Sequence, residues 1–418
     1  MLTNNIVFLY RTDIYALILE NVISQVVSHQ RARLETLDAG LTRELIPATR
    51  SLASHALIIS GIRRCGKSTL LMQMMRKIDS DKVFYLNFES PQLFEFSVND
   101  FSRLDNIIRQ MNASILFFDE IQLVTGWELY VRQKLDDGFK VVITGSNASL
   151  LSDELGTRLT GRHITQELFP FSYTEYLSFK NEISSESSFL KYLTEGGFPE
   201  YVKTGDEMQL VELYNDILIR DIVARYGIRD IKSLQRLAGY LMTNIANRIT
   251  ATKLKQPLSI GAASTILSWF SHFEQAWLFS FLPMFSYSSK ARLINPRKVY
   301  CIDPGMVNII SPSFTDDLGR KLENIVYLFL RKRYQELYYF DENGECDFIA
   351  MKNGKATELV QVCWELTPDN LDRELNGLVN GLKYFKKTSG TIVTFNVKDS
   401  ISRNGINISV VPAYQYLT

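Results

Sequence analysis

The residues best suited to chemistry lie in Gly61-Ile62-Arg63-Arg64-Cys65-Gly66-Lys67-Ser68-Thr69, a complete GxxxxGK[ST] sequence. Glycines at the first and sixth positions let successive backbone N–H groups turn inward around phosphate oxygens. A helix starting at Lys67 adds the partial positive charge of its N-terminus. Lys67 has the length and charge to reach the β- and γ-phosphates, and the Ser68 hydroxyl is a hard ligand for Mg²⁺. Gly61, Arg64, Cys65, Gly66, Lys67, Ser68 and Thr69 are therefore the expected phosphate-binding residues. About fifty residues later, Ile115-Leu116-Phe117-Phe118 runs into Asp119-Glu120. Four apolar residues make a buried strand, and open α/β sheets place ligands at the carboxyl ends of strands. Asp119 would hold Mg²⁺ through water, and Glu120 would polarise an attacking water.

Other polar groups follow the same logic. Val141-Val142-Ile143-Thr144 ends in Gly145-Ser146-Asn147, where Asn147 or Ser146 could bridge a γ-phosphate and a water, or Asn147 could cap the next helix. Glu89 ends the run Val83–Phe88 and could face the site or solvent. A cation is needed against developing charge, and Arg158 and Arg162 are candidates, within the chain or across a subunit interface. Arg63 and Arg64 could instead face outward to partners.

The elements that must position these groups are short apolar runs at Leu57–Ser60, Val83–Phe88, Ile115–Phe118, Lys140–Thr144 and His163–Leu168, separated by amphipathic stretches. Such alternation predicts a mostly parallel sheet covered by helices. Residues 1–50 read as helical from Ile14, Leu17, Ile18, Val22 and Ile23 at 3–4 spacing. Residues 176–248 read as helical around a polar loop at Ser184–Ser188. Two helices, then runs at Trp277–Leu282 and Lys298–Ile302, follow. Beyond Asp303 comes a second α/β pattern: a helix at Leu322–Tyr334, strands at Leu337–Phe340, Cys346–Met351 and Glu358–Val362, a helix near Leu371–Phe385 and a strand at Thr391–Phe395.

Composition sets limits. The chain has 418 residues, 46 Lys+Arg and 46 Asp+Glu, hence no net charge, with 46% hydrophobic residues. That length suggests two to four soluble domains. Four Cys with no close pair exclude a disulfide-stapled scaffold, a zinc ribbon and common iron–sulfur spacings. The longest uncharged runs, Pro257–Phe273 and Gln275–Ser289, fall short of a membrane span. The N-terminus reads neither as basic leader nor as cleavage site. A cytoplasmic protein is expected.

These motifs resemble the bacterial and archaeal AAA-type P-loop ATPases that carry a winged-helix segment and a restriction-endonuclease-like C-terminal domain. The likeness rests on the phosphate-loop sequence, Leu86-Asn87-Phe88-Glu89, and Phe118-Asp119-Glu120-Ile121-Gln122 with Gly126-Trp127. It continues through Thr144-Gly145-Ser146-Asn147, Leu159-Thr160-Gly161-Arg162, Leu168-Phe169-Pro170-Phe171-Ser172 and Arg220-Asp221-Ile222-Val223-Ala224-Arg225-Tyr226. The resemblance implies an α/β fold: a P-loop (ASCE-type) parallel sheet with helices on both faces, with the Asp119 strand beside the phosphate-loop strand. A winged helix and a small restriction-endonuclease-like α/β domain would follow. The expected units are an N-terminal helical segment (1–50), the P-loop ATPase domain (51–175), a helical connector (176–230), the winged helix (231–303) and the nuclease-like domain (304–418). The resemblance implies ATP and Mg²⁺ as cofactors, with Ser68 and Asp119 at the metal and Glu120, Arg162 and Asn147 in catalysis.

Between residues 220 and 298, twelve basic residues face three acids, a local excess of nine positive charges in a neutral chain. This is the footprint of phosphate-backbone binding, so nucleic acid is the expected partner. Lys290 and Arg292 would sit in the wing. The candidate recognition helix, Ile260–His272, has no Lys or Arg, which favours backbone contact over base reading, or protein contact instead. In the last unit, the resemblance places metal-binding acids at Glu323 and Asp347, but Gln361 and Cys363 stand where a second acid and a lysine belong. That predicts a degenerate, non-cleaving domain, with Glu358 or Glu365 as possible substitutes. The sequence thus reads as an ATPase coupled to a nucleic-acid-binding winged helix. The alternatives are an ATP-gated nuclease and a nucleotide-bound interaction switch with little turnover. Oligomerisation is left open.

Overall fold

A computed structural model describes residues 18–44, 54–148, 159, 161–311, 317–342, 344–403 and 405–418. The first layer is a five-stranded parallel sheet: β1 (Ala56–Ser60), β2 (Val83–Asn87), β3 (Ile115–Asp119), β4 (Lys140–Gly145) and β5 (His163–Glu167). Each strand starts and ends within a residue or so of its expected run; β1, β3 and β4, buried on both faces, need apolar residues at consecutive positions, whereas β5 at the end of the sheet is only half-buried. Leu57, Ile59, Phe117 and Val142 face one core, and Ile58, Phe84, Leu86, Phe118 and Ile143 face the other. Helices Glu20–Thr36, Phe101–Gln110 and Trp127–Asp136 cover the second face, with Ile23, Leu104 and Val131 fully buried. The periodic residues Ile14 and Leu17 of the expected N-terminal helix lie outside the described residues.

The strand order is β2-β3-β4-β1-β5. This corrects the expectation that the Asp119 strand lies beside the phosphate-loop strand: β4 is inserted between them. The insertion has a physical consequence. It sets Thr144, Ser146 and Asn147 at the sheet edge between the loop and the two carboxylates.

A capping box at Ser172 and Glu175 starts the helical connector at Tyr173. Helices Tyr173–Lys180, Glu186–Glu195, Pro199–Thr204 and Met208–Asp216 follow, and the last continues as a π-helical stretch, Ile217–Ala224. Next come helices Ile231–Thr243, Ala251–Lys255 and Ala263–Gln275, and a three-stranded sheet of β6 (Arg248–Ile249), β7 (Phe279–Pro283) and β8 (Arg297–Cys301) in the order β6-β8-β7. The connection from β7 to β8 holds a short helix, Ser289–Ile294, and Arg292 there donates to the Tyr338 hydroxyl (3.2 Å) instead of projecting freely from a wing.

The C-terminal unit is a six-stranded mixed sheet of β9 (Glu336–Asp341), β10 (Glu345–Lys352), β11 (Lys355–Val362), β12 (Ser389–Thr394), β13 (Asp399–Arg403) and β14 (Ile406–Pro412), with helices Leu318–Arg333 and Pro368–Tyr384. Among the described residues no helix is long and apolar enough to cross a membrane.

Candidate phosphate-binding site

The loop from β1 to the helix Lys67–Met75 has the geometry its glycines require. Gly66 is left-handed (φ +102°), a region that costs a side chain strain. At Gly61 the reason is space: a Cβ there would lie 2.0 Å from the Leu168 carbonyl oxygen. Cys65 is buried and its thiol reaches the same carbonyl (3.4 Å), so it packs the loop against the chain leaving β5. Lys67 is buried, and its ammonium donates to the carbonyls of Gly61 and Ile62, each at 3.1 Å. Thr69 packs beside Gly40 of the N-terminal segment.

Asp119 and Glu120 stand across from this loop. Asp119 is wholly buried and accepts hydrogen bonds from Thr144, from the Tyr85 hydroxyl (3.0 Å) and from the Asn87 amide (2.9 Å). The Ser68 hydroxyl also bonds to it. Burial and the neighbouring Glu120 charge push the Asp119 carboxyl up, against the pull of those hydroxyls. Glu120 is left-handed (φ +54°), which ends β3 and turns its carboxylate to 3.6 Å from the Lys67 ammonium. Burial alone would raise the Glu120 carboxyl, but Lys67, the Gln122 amide, Arg63 and the Ser146 N–H (3.3 Å) together hold it below its ordinary range. Burial works against the Lys67 ammonium as well, yet Glu120, Cys65 and Asp119 keep it charged.

The backbone of Asn147 accepts from Ser60 Oγ (3.0 Å), so Asn147 and Ser146 both lie at this edge. Arg162 does not. It precedes β5 and its carbonyl bonds the Ala56 N–H, at the amino end of the sheet; its guanidinium pairs with Asp136. Five strand residues, about 16 Å, separate that end from the phosphate loop. A role for Arg162 within its own chain's site is thereby corrected, because residues flanking the start of a parallel strand face away from the ligand edge. Arg158 lies outside the described residues.

Arg63 is turned inward, whereas Arg64 stays exposed. Arg63 makes a two-pronged pair with Asp221 (3.2 and 3.0 Å) and a third bond to Glu89 (3.0 Å). Arg64 lies 3.6 Å from Asp216. Glu89 also meets Arg220 (3.4 Å). The phosphate loop is therefore ion-paired to the Met208–Ala224 helical stretch. The sequence offers no role for Tyr85, and Asn87 and Thr144 stand in its motifs without one; their signal is a polar side chain within or closing an otherwise apolar strand.

Two further groups of sequence candidates are rearranged. Of the twelve basic residues between 220 and 298, Arg220 is met by Glu89, Arg248 by Asp341 and Glu345, and Lys298 by Glu323, Glu345 and Asp347. Acids outside the window thus neutralise part of the excess counted along the sequence. In the C-terminal unit, Glu323 and Asp347 do converge, with Gln361 Oε1 accepting from the Asp347 N–H (3.3 Å). Glu358 is turned away, accepting from the hydroxyls of Tyr334 (2.9 Å) and Tyr416 (2.8 Å).

Residues 53–177 match the AAA domain family, and residues 186–317 match a domain of unknown function, DUF8612. The uncharacterized protein MJ1544 of Methanocaldococcus jannaschii is 34% identical over 414 residues, covering 92% of each chain. An uncharacterized protein of Haemophilus influenzae is 31% identical over 381 residues, 85% of this chain and 92% of that one. Among solved structures, AMPPCP-bound DnaA from Aquifex aeolicus is similar at 16% identity over 54% of this chain and 84% of that one, with a TM-score of 0.29. PCH-2 from C. elegans is similar at 16% identity over 52% and 61%, with a TM-score of 0.23. At the identity and coverage of the first two relatives, the chain belongs to the family of these archaeal and bacterial proteins, and it contributes to that family a chain with an AAA domain at residues 53–177.

Proposed function

We propose that the chain is a Mg²⁺-dependent ATPase whose nucleotide state is passed to the units that follow. The single observation that carries the reading is the convergence at the sheet's carboxyl edge of a buried ammonium, a hydroxyl-bonded carboxylate and a second carboxylate paired to that ammonium. In this reading Lys67 takes the β- and γ-phosphates, and the backbone from Gly61 through Thr69, with Arg64 and Cys65 shaping it, wraps them. Ser68 and Asp119 are hard oxygen donors already in contact, a set that fits Mg²⁺. The ion would neutralise charge on the β- and γ-phosphate oxygens. Glu120, ionised and at the opening of the site, accepts the proton of the attacking water. Asn147 or Ser146 orients that water, and Arg162 serves only a neighbouring copy's site.

The Arg63–Asp221 and Arg64–Asp216 pairs support coupling, because any ligand that redirects the loop arginines also acts on the stretch leading to residues 231–303. We read that region as a winged helix, from its order of three helices and three strands, and the last unit as a nuclease-like fold. Exposed Arg225, Arg229, Lys232, Lys253, Lys255 and Lys290 support nucleic acid as the partner. The test is ATP turnover with and without DNA over a salt series: backbone-driven stimulation fades steeply as salt rises. Stimulation that persists unchanged in salt would remove the nucleic-acid part of the reading.

A further inference from the structure

The acidic cluster of the C-terminal unit carries its own cation. Lys298 leaves β8 and is 2% exposed. Its ammonium donates to Glu323 Oε1 (2.8 Å) and Asp347 Oδ1 (2.7 Å), and pairs also with Glu345. An ammonium has three protons, and three carboxylates take them. The second oxygens of Asp347 and Glu345 are also engaged, and Glu323 Oε1 is shared with a hydroxyl. Glu323 Oε1 receives the Tyr300 hydroxyl (2.7 Å), Asp347 Oδ2 receives the Val362 N–H (2.9 Å), and Glu345 receives Arg248. The Gln361 amide is spent on the Asp347 N–H and on Glu374 (2.7 Å).

A nuclease-like layout implies a divalent metal between the acids at 323 and 347. The residues present do not fit one. Hard divalent ions need about six oxygen ligands, and here a nitrogen holds the point where the carboxylates meet. The lysine missing from position 363 is supplied from another sheet, as counter-ion to the acids.

We propose that Lys298 is the built-in cation of this cluster, standing in the place of a divalent metal, so that the C-terminal unit cleaves no nucleic acid and is instead pinned to the β6-β8-β7 sheet. The inference rests on the nuclease-like reading of this unit and is independent of the phosphate-loop site. It also sets aside the ATP-gated nuclease.

The test is Mn²⁺ binding to the full chain without nucleotide, followed by electron paramagnetic resonance of the free ion. A site in this cluster is defined as one that Asp347→Asn removes. The chain with Lys298 intact is expected to show none at 1 mM Mn²⁺. Lys298→Ala is expected to create one site per chain, lost again when Asp347→Asn is added. A Mn²⁺ site in the intact chain that Asp347→Asn abolishes would overturn the proposal while upholding the nuclease-like reading. A folded Lys298→Ala chain that gains no site would overturn the claim that the ammonium stands in a metal's place, and with it the nuclease-like reading. Should Lys298→Ala not fold, the intact chain alone decides.

Discussion

Replacing Glu120 by Gln separates binding from chemistry at the phosphate site. The amide keeps the size of the side chain and tolerates the left-handed backbone (φ +54°) about as well as the acid does, so the fold is expected to stand. What changes is charge. A unit pair at the observed 3.6 Å between Lys67 and Glu120 is worth about 4–5 kcal/mol at an effective dielectric near 20, before desolvation. Removing the carboxylate frees Lys67 for phosphate and removes a negative charge facing the γ-phosphate. ATP affinity is therefore expected to hold or rise. Turnover is expected to fall by about 10²–10⁴-fold, the usual worth of a positioned general base, which is roughly 3–5 kcal/mol of barrier. Because Lys67, Gln122 and Arg63 hold the Glu120 carboxyl below its ordinary range against the cost of burial, Glu120 stays ionised at neutral pH, and its protonation should not be what first limits the wild-type rate as pH falls. The assay is single-turnover phosphate release beside a fluorescent-nucleotide titration. Turnover within threefold of wild type, or affinity lost together with rate, would refute the assignment.

Three other perturbations probe the supports of the site. Gly61→Ala sets a methyl 2.0 Å from the Leu168 carbonyl, so the loop or the chain after β5 must shift; a loss of about 3 kcal/mol in denaturant unfolding and of nucleotide binding is expected, and an unchanged midpoint would count against the packing described. Asp221→Asn unhooks the loop arginine from the π-helical stretch; ATP binding should persist, while the ATP-dependent change in hydrogen exchange across residues 217–224 should vanish, and its persistence would sever the proposed coupling. Asp303 caps the helix Pro304–Ile310, and burial pushes its carboxyl up to about 6. A raised carboxyl stabilises the fold most below its unfolded value near 4 and loses that contribution as pH rises through about 6, so Asp303→Ala should cost ~2 kcal/mol more at pH 4 than at pH 7 in urea unfolding; a cost independent of pH would contradict the burial.

Much of the first sheet was legible because both faces of β1, β3 and β4 are buried, which writes each as a nearly unbroken apolar run. Strand order was not, because no local pattern says that Lys140–Gly145 slips between β1 and β3. The hairpin of β13 and β14 was passed over although Asn404-Gly405 is a hairpin signal, since the run Asp399–Arg403 alternates weakly and is mostly polar. In the site, Lys67 and Ser68 could be named from the spacing of their motif, and Asp119 and Glu120 from the apolar run that they close. Partners distant along the chain could not: Asp221 lies 158 residues from Arg63. Lys298 was counted as surface charge because its sequence neighbours Pro296, Arg297 and Tyr300 say nothing of the acids at 323, 345 and 347 that bury it.

The central claim is that the loop around Gly66 and Lys67 holds a nucleoside triphosphate. Calorimetric titration of Mg²⁺–ATP into the full chain and into Lys67→Ala tests it most directly. One site per chain is expected for the wild type, with binding at least a hundredfold weaker in the variant. Equal affinity in the two proteins would contradict it.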